Sequence, residues 1–295
     1  MLLKFKLLNK STIWALFITS FFLFPCALYA SGLSGKGGSW EAITTCNKAK
    51  ELASAIKENK ITEVSELLKN GADPNCSYAE YTPLEKATAK NNLDIVKLLI
   101  ENGANPNAED ERGSTAISLA VTRCNFDIIK FLVENRANPN KANEFGHTPL
   151  ILAVNNNKFE FVKFLIEHKA DPNVVENGKR TALMYALLSK TINPNITELL
   201  IKSTTNLNQR DTFFGETALM IAASSDNFNF IIPLIEMGAD PKITDFTGLN
   251  LYNLAKKKGH MEIVNFLDEQ KITNTTTVEQ RLLISKIISY LEDFS

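Results

Sequence analysis

Residues 82–107 decide the fold, and they read TPLEKATAKNNLDIVKLLIENGANPN. The stretch opens with a Thr-Pro-Leu helix start, because Thr caps exposed amide groups and Pro fits the first helical turn. Apolar residues then recur at helical spacing from Leu93 to Leu99, and Gly103 follows, where a left-handed helix end is expected. The pattern predicts two helices joined by a short turn.

Three features of this unit recur along the chain with a period of roughly 33 residues. The Thr-led helix start recurs at positions 82, 115, 148, 181 and 217, and the exit resembling Gly-Ala-Asp-Pro-Asn begins at 71, 103, 136, 169 and 238. A small residue inside the first helix recurs as Ala55, Ala87, Ala120, Ala153, Ala186, Ala222 and Ala255. One period shared by three features indicates stacked repeats with a single elongated core.

These residues resemble ankyrin repeats, and the best single matches are residues 91–99 and 259–264. The resemblance covers residues 46–268 and implies seven repeats, at about 46–77, 78–110, 111–143, 144–176, 177–212, 213–245 and 246–268. It implies an all-α, ankyrin-repeat α-solenoid of helix-turn-helix pairs joined by hairpin loops. It also implies binding of a protein partner through the hairpin tips and the concave face of the first helices.

Several positions depart from the family pattern. The fifth repeat is three residues longer, with two extra residues near 191–194 and one near 209–214, and Pro233 should kink or shorten a second helix. Arg136 and Lys169 replace the exit glycine. The position that is usually His in the family holds Glu85, Ser118, Ile151, Met184, Met220 and Asn253, of which the apolar three are expected in the core.

The N-terminus has the layout of a secretory signal peptide over residues 1–30. Lys4, Lys6 and Lys10 precede an apolar run, and small residues end the segment at Ala30. Residues 31–45 are then a flexible linker rich in Gly and Ser. The alternative is an uncleaved membrane anchor at residues 11–30. Cleavage would remove three lysines and no acid, changing the formal net charge from −1 to −4.

Three of the four cysteines, Cys46, Cys76 and Cys124, follow the predicted cleavage site. An odd number in an exported chain permits one bridge and one free thiol. Cys46 and Cys76 are the candidate pair because both fall at one end of the first repeat. Burial or a free thiol is the alternative for each.

Residues 269–295 are predicted to form a C-terminal capping helix. Thr277 to Gln280 match a capping box, and Leu283, Ile287 and Leu291 lie on one helical stripe. Packing on the seventh repeat is the expected role of this apolar face. Partner binding or dimerisation through it is the alternative, and the chain is expected to be a monomer.

The sequence indicates no catalytic, cofactor or metal site. It has three histidines, no CxxC pair, no glycine-rich phosphate loop and no nucleophile elbow. A near-neutral charge balance of 32 basic and 33 acidic residues argues against nucleic-acid binding. We therefore expect neither an enzyme nor a protein with a small-molecule substrate.

The function expected from the sequence is non-catalytic protein binding after export. The composition, rich in Lys, Asn and Ile, suggests a bacterial source and a periplasmic or extracellular location. A secreted effector directed at a host protein and a periplasmic factor that neutralises a toxin or protects an enzyme are alternatives. The candidate partner-binding residues lie on predicted hairpin tips, where loop packing is the alternative role of the aromatic rings: Phe145, Phe213, Phe214, Phe246, Arg112, Glu111 and Arg180.

Overall fold

The computed structural model describes residues 48–78, 81–189, 191–225 and 227–272. The predicted signal peptide, linker and Cys46 lie outside the described residues, as does nearly all of the predicted capping helix. Within the described ranges, no helix is long and apolar enough to cross a membrane.

The described residues form fourteen α-helices in seven successive pairs. The first helices are α1 (Ala49–Lys57), α3 (Pro83–Ala89), α5 (Ala116–Thr122), α7 (Pro149–Asn155), α9 (Ala182–Leu188), α11 (Ala218–Ser224) and α13 (Leu251–Lys258). The second helices are α2 (Ile61–Lys69), α4 (Leu93–Glu101), α6 (Phe126–Glu134), α8 (Phe159–Glu167), α10 (Pro194–Ser203), α12 (Ile231–Glu236) and α14 (Met261–Ile272). Each first helix packs on its own second helix and on the first helix of the next pair. The all-α solenoid prediction is confirmed.

The predicted threonine caps are present. Thr82, Thr115, Thr148, Thr181 and Thr217 each accept a hydrogen bond from the backbone amide three residues later. At Thr82 the cap is reciprocal, because the Glu85 carboxylate accepts a hydrogen bond from the Thr82 backbone amide at 2.8 Å. The first helices therefore begin where the sequence pattern placed them.

The recurring alanine lies in the centre of the stack. Its side chain is at most 1% exposed in all seven pairs, because only a small residue lets neighbouring first helices approach closely. Ile151, Met184 and Met220 are also buried, so the predicted apolar core positions are confirmed. The buried side chains form one continuous apolar cluster from the first pair to the last.

A ladder of asparagine side chains also joins successive pairs. In one step of it, the Asn140 side chain donates to the Lys169 carbonyl at 2.9 Å and accepts from the Asp171 amide at 2.7 Å. Asn75 and Asn107 make the same two bonds to the exits of the next pairs. The last residue of the exit motif thus links two repeats, a role that the sequence pattern did not reveal.

The fifth and sixth pairs carry the irregularities expected from the sequence. The turn between α9 and α10 spans residues 189–193, two residues more than the turn 156–158 between α7 and α8. In the sixth pair a 3₁₀ turn, Phe228–Phe230, replaces the start of the second helix, and α12 has only 6 residues. Pro233 explains the shortening because it lacks the amide donor of a regular helix interior.

Arg136 and Lys169 adopt the left-handed conformation that glycine holds in other exits. Their φ angles are 68° and 70°, against 89° at Gly103. A side chain with a Cβ is strained there.

We expect Arg136→Gly and Lys169→Gly each to raise the free energy of unfolding by about 0.5–1 kcal/mol, measured by urea unfolding. Gly103→Ala, the matched control, should lower it by a similar amount, and an unchanged midpoint in all three variants would contradict the assignment.

Candidate functional site

Five hairpin loops between the pairs share one construction, and we call them the hairpin row: residues 110–114, 143–147, 176–180, 211–216 and 245–249. In each loop the first backbone amide donates to the last carbonyl at 2.8 to 3.1 Å. The side chain of the first residue accepts hydrogen bonds from amides inside its own loop at Asp110, Asn143, Glu176, Asp211 and Asp245. The loops are therefore closed by polar contacts and do not depend on a partner for their shape.

Neighbouring loops are also bonded to each other through their backbones. The amides of Glu144, Asn177, Thr212 and Phe246 donate to the carbonyls of Arg112, Phe145, Gly178 and Phe214, respectively, at 2.8, 3.2, 2.9 and 2.8 Å. One backbone bond thus connects each loop to the next. The hairpin row is a continuous surface whose side chains are held at fixed spacing.

The four predicted phenylalanines lie on this surface and are largely exposed. Phe145 and Phe213 are 57% exposed, Phe214 is 62% exposed and Phe246 is 63% exposed. Scattered exposed apolar residues are normal. Here three of the rings lie on two adjacent bonded loops and Phe145 lies two loops before Phe213, and aromatic residues are enriched at binding hot spots. The exposure fits the binding interpretation.

Phe213 also packs within the row. Its ring lies 4.4 Å from the Arg180 guanidinium, and a Cβ atom at Gly178 would lie 2.3 Å from the ring. Arg180 in turn donates from Nε and Nη2 to one Asp211 oxygen at 3.0 and 2.9 Å. The Phe213 ring is therefore oriented by two residues of the preceding loop.

Phe246 repeats this arrangement one loop later. Its ring lies 5.1 Å from the Arg210 guanidinium, and Arg210 donates from Nε to the Gly215 carbonyl at 2.9 Å. The ring covers Gly215, where an added Cβ would lie 2.6 Å away. Binding and loop packing, which the sequence left as alternatives, are thus compatible: one face of each ring is in contact and the rest is exposed.

Phe145, on the loop between the third and fourth pairs, belongs to a small aromatic cluster. Its ring lies 6.2 Å from the ring of His147, whose Nε2 lies 3.3 Å from the Tyr185 hydroxyl. Burial raises the pKa of Tyr185, and the Glu176 carboxylate adds to the rise.

The predicted residues Glu111 and Arg112 lie at the other end of the row and are exposed. With Tyr81 and Asp110 they line a small pocket of about 190 Å³. The structure brings Arg180 to Phe213, but it keeps Glu111 and Arg112 on a separate loop. The row thus has a charged end and an aromatic end.

Asp211 places a buried carboxylate in the hairpin row, and the sequence pattern did not reveal its role. Its side chain is fully buried; burial alone would raise its pKa, but hydrogen bonds from the Phe214 amide, Arg180 and the Glu216 amide hold the pKa below its ordinary value. The missed signal was the Asp, Asn or Glu that recurs as the first residue of every loop.

The cysteine prediction is partly outside the described residues. Cys76 is disulfide-bonded, whereas Cys124 is free and exposed. Cys46 is not among the described residues, so the pairing of Cys46 with Cys76 stays a prediction.

The described part of the chain contains no group of three or more His, Cys, Asp or Glu side chains that could hold a metal ion. The hairpin row offers a ligand fixed backbone groups, exposed aromatic rings and paired charges. These groups suit noncovalent binding.

Comparison with known proteins identifies the family. The model of the ankyrin repeats matches residues 52–143, 117–211 and 189–277, which together span most of the chain. The chain belongs to the ankyrin repeat family. Ankyrin repeats generally form non-catalytic scaffolds for protein–protein interaction.

One curated relative shares part of the ankyrin stack. Ankyrin repeat protein nuc-2 of Neurospora crassa is 37% identical over 78 residues, which are 26% of this chain and 7% of the relative. The chain therefore matches only a small part of that protein's length. This similarity supports the fold.

Proposed function

We propose that this ankyrin protein binds a protein partner through the hairpin row and the adjoining concave face. The observation that carries the proposal is the set of four phenylalanines, each at least 57% exposed, on loops bonded to one another. A surface that is already ordered loses less conformational entropy on binding than a flexible one. Interface cores favour aromatic residues and arginine.

In this proposal the charged end of the row, at Glu111 and Arg112, orients the partner as it approaches. Exposed Glu111 and Arg112 lie beside the pocket at Tyr81 and add charge contacts, which favour correct encounter more than raw affinity. Arg180 acts inside the row, because it pairs with Asp211 and supports the Phe213 ring. Its replacement would therefore affect binding through ring position.

We also propose that the chain acts after export, as a monomer with seven ankyrin repeats and an apolar C-terminal segment that caps them. The signal-like pattern of residues 1–30 supports export, and disulfide-bonded Cys76 fits an oxidising compartment. A periplasmic protective factor and a secreted effector remain the two biological roles. Retention in the periplasmic fraction favours the first, and appearance in the medium or in host cells favours the second.

The test begins with affinity capture by residues 31–295, followed by mass spectrometry to identify the partner. We expect Phe145→Ala combined with Phe214→Ala to weaken binding of that partner at least about tenfold, because truncation removes two exposed anchors. Affinity is measured by titration calorimetry.

Folding controls separate binding from packing in this experiment. Helical content and melting temperature of the double variant should stay close to those of the parent, since both rings are more than half exposed. A large loss of stability would assign the rings to packing. Unchanged affinity with intact folding would remove the hairpin row from the interface.

A further inference from the structure

A groove of about 510 Å³ lies between α10 and α12, away from the loops of the hairpin row. Its apolar lining includes Ile192, Pro194, Phe230, Pro233 and Met237. Met237 is 50% exposed although it is a large apolar side chain. None of the hairpin-row residues lines this groove, so it is a separate surface.

The groove lies at the place where aromatic rings pack between two earlier second helices. Between α6 and α8 the ring of Phe126 stacks on Phe161 at 5.1 Å and contacts the edge of Phe164 at 5.5 Å. This cluster fills the space between those two second helices.

The matching positions in the later pairs keep only one of the three rings. Pro194 is the first residue of α10, as Phe126 is of α6. The offset that relates Ala153 to Ala222 places Phe230 at the position of Phe161 and Pro233 at that of Phe164. Two aromatic rings are thus replaced by proline, and the unfilled volume is open to solvent.

Charge at the groove also differs from that on the second helices α4, α6 and α8. The fifth residue of α4, α6 and α8 is Lys97, Lys130 and Lys163, whereas the fifth residue of α10 is Glu198. Glu236 of α12 and Lys202 of α10 also line the groove. Neither glutamate forms an ion pair with any residue that the structure describes. The two carboxylates favour a cationic group beside an apolar one.

We propose that this groove binds a protein partner that inserts an aromatic side chain carried within a few residues of a lysine or arginine. The ring would take the volume that Phe126 and Phe164 fill in the earlier pairs, and the cation would lie against Glu198 and Glu236. Desolvated aromatic anchors in pockets typically dominate such interfaces, and electrostatic complementarity selects the partner. The proposal does not rest on the function of the hairpin row.

The test uses a phage-displayed library of random 12-residue peptides, panned against residues 31–295. We expect the enriched peptides to carry an aromatic residue within four positions of Lys or Arg. Binding of a synthetic enriched peptide, measured by fluorescence anisotropy, should weaken at least about tenfold in Pro194→Phe and Pro233→Phe, which refill the groove, and in Glu198→Lys. Lys97→Glu, a charge reversal at the matching position of α4, is the matched control and should leave the affinity unchanged.

Three results would overturn the proposal. Panning could enrich no peptide, it could enrich peptides that lack an aromatic residue near Lys or Arg, or the enriched peptide could bind Pro194→Phe and Pro233→Phe as tightly as the parent. Displacement by a peptide of residues 277–295 would assign the groove to the chain's own C-terminal segment instead of a partner. Melting curves check folding, and if a proline variant unfolds, Glu198→Lys at an exposed position decides the result.

Discussion

Replacing Asp211 with alanine should produce the largest loss of stability in the hairpin row. Its carboxylate accepts from the amides of Phe214 and Gly215, both at 3.0 Å, and from that of Glu216 at 3.2 Å, besides the two bonds from Arg180. Asp211→Ala would leave a half-buried guanidinium and several loop amides without their acceptor. We expect the free energy of unfolding to fall by about 3 kcal/mol, measured by urea unfolding.

Asp245→Ala is the matched control for this variant. Asp245 closes the next loop through the Thr247 and Leu249 amides but pairs with no arginine in the described residues. We expect a loss of about 1 kcal/mol there. Equal losses at both positions would show that the Arg180 contact contributes little.

The Asp211 contribution should also depend on pH. Because the folded-state pKa is lowered, the unfolded state binds more protons in acid, so the stabilisation is present above the unfolded pKa of about 3.9. It is lost as the pH falls through the folded-state pKa. The protection factors of the amides in residues 211–216, which correct exchange rates for the intrinsic pH dependence of amide exchange, should therefore fall in acid in the parent, and unchanged protection factors there would contradict the assignment.

The second large effect is expected at Glu85, which has the opposite pH dependence. Its side chain is 1% exposed, and Oε2 accepts hydrogen bonds from the backbone amide and the hydroxyl of Thr82. Burial raises the pKa of Glu85 to about 7; hydrogen bonds from Thr82 and from the Asp110 backbone oppose the rise, and the charge of Asp110 adds to it. The folded protein therefore keeps a proton that the unfolded chain releases near pH 4.5.

The sign of the effect follows from that proton. Between about pH 4.5 and 7 the folded state binds more protons than the unfolded state, so stability falls as the pH rises. The maximum loss is about 3 kcal/mol. Glu85→Gln should remove this decline and be more stable than the parent at pH 8 by about 2 kcal/mol, while the two remain similar at pH 5.

Thermal and urea unfolding at pH 5 and pH 8 measure this difference. Glu144→Gln, at an exposed position in the hairpin row, is the control and should change neither value appreciably. Parallel pH dependence in the parent and Glu85→Gln would show that the carboxyl is already ionised in the folded state. Because Asp110 opens the loop that holds Glu111 and Arg112, a pH-dependent Glu85 would also affect the charged end of the row.

The local features of this fold were predictable because each depends on neighbouring residues in the sequence. The caps at Thr82 and its counterparts, the left-handed exits at Arg136 and Lys169, and the shortened helix at Pro233 are set by contacts within a few residues. The period then placed the recurring alanine in the core, because the same unit packs on copies of itself. The four phenylalanines were located correctly on exposed loops by the same alignment.

Side-chain environments across repeats were not predictable in this way. The sequence placed Arg180 on a hairpin tip but gave no reason to pair it with Asp211, the first residue of the next loop. It likewise treated the extra residues near 191–194 and Pro233 as separate irregularities, whereas in the structure Pro194 and Pro233 line one groove.

The sequence by itself determined the helices, their caps, their period and therefore the ankyrin stack. Only the tertiary structure decided which groups share a surface: the bonded hairpin row, the buried Asp211 and Glu85, and the groove beside Glu198. The physical reason is distance along the chain. Helices and turns are fixed by bonds over three to five positions, whereas these environments form between residues about one repeat apart, and their burial and charge depend on how neighbouring repeats pack.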